Sequence, residues 1–344
     1  MEIGLYTLND LTPSPINGQR VTAAQRVRET IAAAKLADEV GLDIFGVGEH
    51  HRLDFAVSAP AVVLSAIAAE TQKIRLTSAV TVLGAADPVR VYQEFATLDL
   101  VSDGRAEIMA GRGAFIDPFP LFGYDVNEYD EIFVEHYHLL RQLTLKERVT
   151  WTGKFRPPLQ AAQIAPRPVQ ADFPIWIAVG GSPESAARAG ALGAPMALAA
   201  LGGPIVGLKR IVELYRGAAR ANHKRPRIAL SSHTHVGATS QSARENFFPH
   251  HAQYWRHVSS GRVTPMTRDQ FDLASGPGTA LMVGSPEEIT DRILLAHETL
   301  GIDRFLAQVD LGALPFSEVA AVIERLGTQV APAVRQAIGA GATS

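Results

Sequence analysis

An α/β fold, specifically a (β/α)8 TIM barrel, is what the sequence predicts, and three observations predict it. Short apolar runs of strand length alternate with longer amphipathic stretches along most of the chain. These runs fall at 3–7, 43–48, 74–82, 106–110, 174–179, 195–200, 228–236 and 304–309, enough strands to close a barrel. Two of them end in chemistry-bearing residues, Gly46-Val47-Gly48-Glu49-His50-His51 and Gly111-Arg112. In a barrel of this kind the carboxyl ends of the strands form the catalytic face.

Helices are expected between most strands. The stretch 22–40 is Ala-rich, opens at Thr22 as a cap and stops at Gly41. Residues 59–70 start around Pro60, and 88–101 carry Asp87 as cap with Pro88 at the first helical position. Further helices are expected at 127–146, 183–192, 204–221, 286–300 and 316–329. An open doubly wound sheet is the alternative, but no G-x-G-x-x-G follows the first strand. The nearest approach, Gly46-x-Gly48-x-x-His51, has histidine where the packing glycine belongs.

The connections at about 112–173 and 237–283, after strands 4 and 7, are too long for bare loops and read as insertions. The first holds a helix and a small hairpin around 149–155. The second holds Phe247, Phe248, Tyr254, Trp255 and a flexible stretch, Ser275 to Gly278, and reads as a lid or as extra packing on the rim. A single domain over 1–344, with a short tail after about 335, is expected.

The charge balance excludes some functions. Net charge is −3 and dispersed, so there is no basic stripe for nucleic acid. Cysteine is absent, which removes disulfides and thiolate metal sites. No apolar run reaches bilayer length and no signal-like segment precedes the first strand, so a cytoplasmic protein with no membrane partner is expected.

An imidazole titrates near neutrality and can exchange a proton at working pH, which makes His50 and His51 candidates for acid–base work. Adjacent residues leaving a strand point apart, so one of the two is expected to face a pocket; a hydrogen-bonded strand end is the plainer reading. His233-x-His235 shares one strand face and resembles half of a metal site. The late strands supply few further ligands beyond Asp310, so no metal is expected, and the pair instead lines the substrate side. His136, His138, His250, His251 and His257 read as surface or helix residues. At Gly180-Gly181-Ser182-Pro183-Glu184-Ser185 a strand ends and a helix opens, giving free N–H groups suited to an anion or simply an ordinary cap. Arg112, at the end of the preceding strand, would complete a phosphate clamp. Ser78 and Ala79 leave room for a flat group, and Tyr6, Phe45 and Gln93 could reach the pocket mouth.

The chain resembles the bacterial luciferase-like superfamily of flavin-dependent monooxygenases. The likeness rests on "GVGEHH" at 46–51, "QKIRLTSAVTVLGAADPVRVYQEFATLDLVSDGRAEIMAGRG" at 72–113, "APRPVQADFPIWIAVGGSPESAARAGALG" at 165–193 and "VGSPEEITDRI" at 283–293. It implies a barrel binding FMN at its carboxyl face. By position it implies His50 as the catalytic histidine and Glu49 as a flavin-site carboxylate. Ala79-Val80 falls where the family often has a non-prolyl cis peptide under the flavin ring. Arg112 matches the phosphate-binding arginine, and Gly181, Ser182 and Ser185 fall on the phosphate turn. Gln93 stands in for a glutamate near the flavin and Gly111 for a reactive cysteine, departures that count against light emission.

The resemblance further implies a monooxygenase using reduced FMN and O2 on a small-molecule substrate. Electrons would come from a partner flavin reductase or from NAD(P)H, and the chain would form a homodimer through helices flanking strands 2 and 3. The rivals are a deazaflavin-dependent dehydrogenase of the same superfamily, a non-catalytic flavin-binding protein, and a metal-dependent barrel hydrolase.

Overall fold

A computed structural model describes residues 1–221 and 225–341. The strands are β1 (Glu2–Thr7), β2 (Ile44–Val47), β3 (Arg75–Ser78), β4 (Thr81–Val82), β5 (Ala106–Gly111), β6 (Arg148–Trp151), β7 (Leu159–Gln163), β8 (Ile175–Val179), β9 (Met196–Ala199), β10 (Ile228–Val236), β11 (Met282–Gly284) and β12 (Arg304–Gln308). Parallel pairing runs β1, β2, β3, β5, β8, β9, β10, β12 and returns to β1, which closes a (β/α)8 barrel.

The helices are α1 (Ala23–Glu39), α2 (Pro60–Glu70), α3 (Pro88–Val101), α4 (Pro118–Leu121), α5 (Tyr129–Leu145), α6 (Pro183–Ala191), α7 (Lys209–Arg220), α8 (Ser240–Val258), α9 (Arg268–Ala274), α10 (Pro286–Leu300), α11 (Phe316–Arg325) and α12 (Ala331–Gly341). Several start where local chemistry dictates. The Thr22 hydroxyl accepts from Gln25 N at 3.1 Å, and the Asp87 carboxylate accepts from Val89 N at 2.8 Å and Arg90 N at 3.3 Å. No helix among the described residues is long and apolar enough to cross a membrane.

The run at 74–82 is not one strand. It breaks into β3 and β4 at a cis peptide bond between Ala79 and Val80. The hairpin forms from β6 and β7, so its return strand begins at Leu159 rather than within 149–155. β11 pairs with the end of β10 and has no counterpart among the expected strands. The connection after β10 is largely helical, and its α8 packs on β10 and β11. Past α11 the chain stays helical, through a π-helical turn at Leu326–Val330 into α12.

Inside the barrel Tyr6, Ile44, Ala79, Met109, Trp176, Ala197, Ala229 and Leu306 pack together. The amino end is closed by charge. Arg304, fully buried, donates to Glu107 Oε2 at 2.8 Å and Glu2 Oε2 at 2.9 Å, and Arg75 Nε meets Glu107 Oε1 at 2.5 Å. The Arg304 guanidinium lies 4.2 Å from the Trp176 ring centre.

Candidate active site

Phe45 lies near the start of β2 and packs into the helix layer beside Ala33 and Val319. The other candidates on a strand or just beyond one lie toward the carboxyl end of the barrel, the end opposite the charged plug. The surface there is built from small residues. A Cβ added at Gly111 would sit 3.1 Å from Val80 Cγ2 and 3.2 Å from Ala178 Cβ, so no larger side chain fits without movement. One at Gly48 would meet Ala79 O at 3.1 Å and His50 Cε1 at 3.2 Å, which puts the His50 ring beside the cis bond.

His50 is buried. It stacks on Phe55 with centroids 4.0 Å apart and meets Phe115 edge-on at 5.7 Å. Burial drives its pKa down to about 4, and its Nδ1 has no hydrogen-bond partner. The imidazole is therefore neutral at pH 7 and keeps a free nitrogen. His51 turns the other way, its Nε2 lying 2.9 Å from Glu49 Oε1. The other Glu49 oxygen accepts from Val82 N at 3.0 Å, so this carboxylate ties the end of β2 to β4.

Across the mouth, Gly181 has a φ of +98°, a backbone open to glycine but strained for other residues, and a Cβ there would meet nothing within 4 Å. Ser182 caps α6 by accepting from Ser185 N at 3.1 Å, and it donates to Glu184 Oε2 at 3.0 Å. Arg112 is exposed, makes no ion pair among the described residues and lies 5.6 Å from the Tyr129 ring centre. Arg188 lies 5.7 Å from the same ring, donates to Ser185 Oγ at 3.1 Å and pairs with Asp130 at 2.6 Å. One aromatic ring thus stands near two cations, and Arg188 reaches the first turn of α6 through Ser185, an arrangement suited to a phosphate dianion.

A family model described as luciferase-like monooxygenase matches residues 1–304. The chain belongs to the luciferase-like monooxygenase family. It is 24% identical to the oxygenase component of the flavin-dependent trigonelline monooxygenase of Acinetobacter baylyi over 335 residues, 91% of either chain. The crystal structure of monooxygenase RslO1 from Streptomyces bottropensis superposes with a TM-score of 0.85 at 26% identity, over 96% of this chain and 99% of that one. An F420-dependent glucose-6-phosphate dehydrogenase from Amycolatopsis mediterranei is 33% identical over 175 residues, 48% of this chain and 51% of that protein.

Other residues of the expected luciferase-like site are tied into neighbouring segments. Gln93 lies on α3 and donates through Nε2 to Ala165 O at 3.3 Å, in the segment that follows β7. His233 and His235 are buried beneath α8 instead of facing open space, because that helix lays its aromatic face over the end of β10. His233 meets His251 and Tyr254 at 5.6 Å, and His235 stacks on Phe247 at 5.2 Å. Tyr6 points into the barrel and hydrogen-bonds Ser231. His136, His250 and His251 do lie on helices but are buried. Among the described residues no group of three or more His, Cys, Asp or Glu side chains is arranged to hold a metal.

Sequence reasoning missed Arg188, Tyr129 and Gln308. Arg188 carried a signal, since it follows Ser185 by three residues on one helix and shares its face. Gln308 carried a weaker one, since it alternates with Arg304 and Leu306 on an inward-facing strand. It is fully buried, and neither amide atom has a partner. Tyr129 carried none.

Proposed function

We propose that the protein is a flavin-dependent monooxygenase whose flavin is FMN. The observation that carries FMN is the turn at Gly181, where Arg112 and Arg188 converge on Tyr129 beside the amino end of α6. Two cations and free amides suit a terminal phosphate monoester. Gly48, Ala79, Gly111 and Ala178 pack closely at the strand ends, small residues of the kind a flat ring could lie across.

When bound and reduced, FMN supplies two electrons to O2, one oxygen atom passing to the substrate and the other to water. The protein's own residues do the rest. Arg112, Arg188, Ser182 and Ser185 would hold the phosphate. Glu49 fixes the backbone of β4 through Val82 N. His50, neutral and held flat on Phe55, would offer its free nitrogen to the reacting group as a hydrogen-bond partner, since burial makes its charged form costly. Phe55 and Phe115 keep bulk water from that ring.

Delivery of reduced flavin by a partner reductase, or reduction by NAD(P)H, fits a chain with no nicotinamide fingerprint. Pairing into a homodimer across α2 and α3 is supported by the exposed Val62, Leu100 and Val101 on those helices, and sedimentation as a monomer would oppose it. The test of function is a titration of FMN and F420 followed by mixing the reduced complex with O2. Saturable FMN uptake is expected, with His50→Ala changing affinity only a few fold while oxygen-dependent turnover falls about a hundredfold or more. Uptake of F420 alone, with hydride transfer and no oxygen consumption, would replace this reading by the dehydrogenase one.

A further inference from the structure

An open cleft of about 780 Å³ lies on the same face as His50, between the segment that follows β2, the start of α4 and the last turns of α8. The cleft is open to solvent and mainly polar, so a ligand held there would keep one side in water. Its charges do not cancel. Arg52 and Asp54 neutralise each other through two contacts of 2.9 and 2.6 Å, and Arg52 is further pinned to Val258 O at 3.3 Å. His51 is held by Glu49 at the floor. His257 lies 4.0 Å from Asp54, its pKa lowered by burial and then by Arg20, so it stays neutral at pH 7. What remains is Arg20 and Arg256 against Asp117. None of these three makes an ion pair among the described residues; Arg256 reaches only Gln253 Oε1, at 2.8 Å. Two free guanidinium groups against one carboxylate make a positive patch on a chain whose net charge is −3.

The cleft also has an apolar side. Leu53 is 100% exposed on its lip. A bare leucine next to unpaired arginines suits a molecule with an apolar body and one anionic end.

We infer that this cleft receives the oxygenation substrate, and that the substrate is a small organic acid whose carboxylate is held by Arg20 and Arg256. Arginine suits this task because its planar fork matches a carboxylate and stays charged at every working pH. Asp117 opposes the anion and sets how tightly it is held. The inference deepens the monooxygenase reading and rests on it for the word substrate.

The experiment uses the full chain saturated with oxidised FMN and two probes of one shape, 3-phenylpropionate and 3-phenylpropionamide. Binding is followed by ligand-observed NMR and by the visible spectrum of the bound flavin. The acid is expected to bind about tenfold more tightly than the amide and to perturb the flavin spectrum. Arg20→Gln and Arg256→Gln are each expected to weaken the acid about three- to tenfold, the double variant to erase the preference, and Asp117→Asn to tighten the acid about twofold. The amide should bind all of them alike, and FMN affinity should stay within about twofold. All three positions are solvent-facing, so the variants are expected to fold.

Equal binding of acid and amide, or an acid preference that survives the double variant, would overturn the inference. Loss of FMN in the double variant would assign these arginines to the flavin, and displacement of the acid by NADPH would assign the cleft to a nicotinamide donor; either result overturns it as well. If the wild-type chain takes up no FMN, the monooxygenase reading falls by itself. Acid-over-amide selection by the flavin-free chain then still decides whether the cleft is an anion site.

Discussion

Arg304 and Gln308 stand four residues apart on β12, both fully buried and both inside the barrel, yet they live in opposite settings. Arg304 is surrounded by answers to its charge, with Glu107 and Glu2 as partners and the Trp176 ring beside it. Gln308 has none, and nearby at the same end His50 and His233 each keep an unpartnered Nδ1. The amino end pairs its buried charges, although Trp176 Nε1 lacks a partner there; the carboxyl end keeps the neutral Gln308, His50 and His233 buried with unpartnered atoms. A buried polar group that lacks a partner costs stability, so a fold that keeps several at one end retains them for something other than stability.

Acid should separate the two ends most strongly. Burial lowers His50, His235 and His251 to about 4 and His233 to about 3. Between pH 6.5 and 4 the unfolded chain takes up protons that the native histidines refuse, so stability falls as pH drops through that window. Asp310 works the other way: burial raises it to about 6, so the native state binds a proton first and gains stability over part of the same range. Burial lowers His136, His250 and His257 too, and raises Asp10 and Glu94 like Asp310. The lowered histidines outnumber the raised carboxyls, so the net effect from pH 7 to pH 5 is a loss of roughly several kcal/mol. At the amino end, burial pushes Glu107 up but Arg304 and Arg75 outweigh it, holding the carboxyl below the usual range, so the plug stays charged throughout. Denaturant unfolding at several pH values checks the loss, and amide exchange should show α8 opening before β12 begins to. A flat profile from pH 7 to pH 5 would erase the contrast.

The next effect comes from the plug. Glu107→Gln leaves the Arg304 guanidinium buried with half of its charge unanswered, and a loss of about 3–5 kcal/mol in urea unfolding is expected. Exchanging Glu107 for Leu together with Arg304 for Met should recover most of that loss, because the penalty is the orphaned charge and not the missing pair. FMN affinity of the folded fraction should not change. A loss below about 1 kcal/mol would mean that the amino end is no better satisfied than the mouth.

How much of this was legible follows the range of the forces involved. Caps are local, so Thr22, Asp87 and Ser182 marked their helices from sequence alone, and the apolar runs marked the barrel strands. Glycine and serine at 181 and 182 could be read as an anion turn for the same reason. The break of the third strand at Ala79, the short β11 and the passage of α8 over β10 depend on neighbours far along the chain, and no local pattern encodes them. The histidines of β10 were misjudged on that account: alternation told which face they share, and only α8 tells that the face is covered. The cation pair on Tyr129 joins residues 112, 129 and 188, and only the closed barrel brings them together.

At the phosphate turn the expected effect is smaller and specific to one ligand. Arg112→Ala should weaken FMN about ten- to a hundredfold and leave riboflavin nearly unaffected, since riboflavin lacks the phosphate. Arg188→Ala should cost less, because Asp130 already neutralises part of its charge. Fluorescence titration with both flavins reads the difference. Equal losses for the two ligands would move Arg112 away from the phosphate and leave the turn an ordinary helix cap.

The smallest effect is a gain. In Gln308→Leu an amide with two unpartnered atoms becomes an apolar side chain of similar size inside the barrel. The desolvation cost of the amide disappears while packing against Tyr6 and Leu306 is kept, so unfolding in urea should become harder by about 1 kcal/mol. The sign carries the argument. Glu107→Gln in the charged plug is expected to destabilise and this change to stabilise, although both positions are buried strand residues. A loss of 1 kcal/mol or more would mean that an ordered water already satisfies Gln308, and the two ends of the barrel would then differ in charge but not in strain.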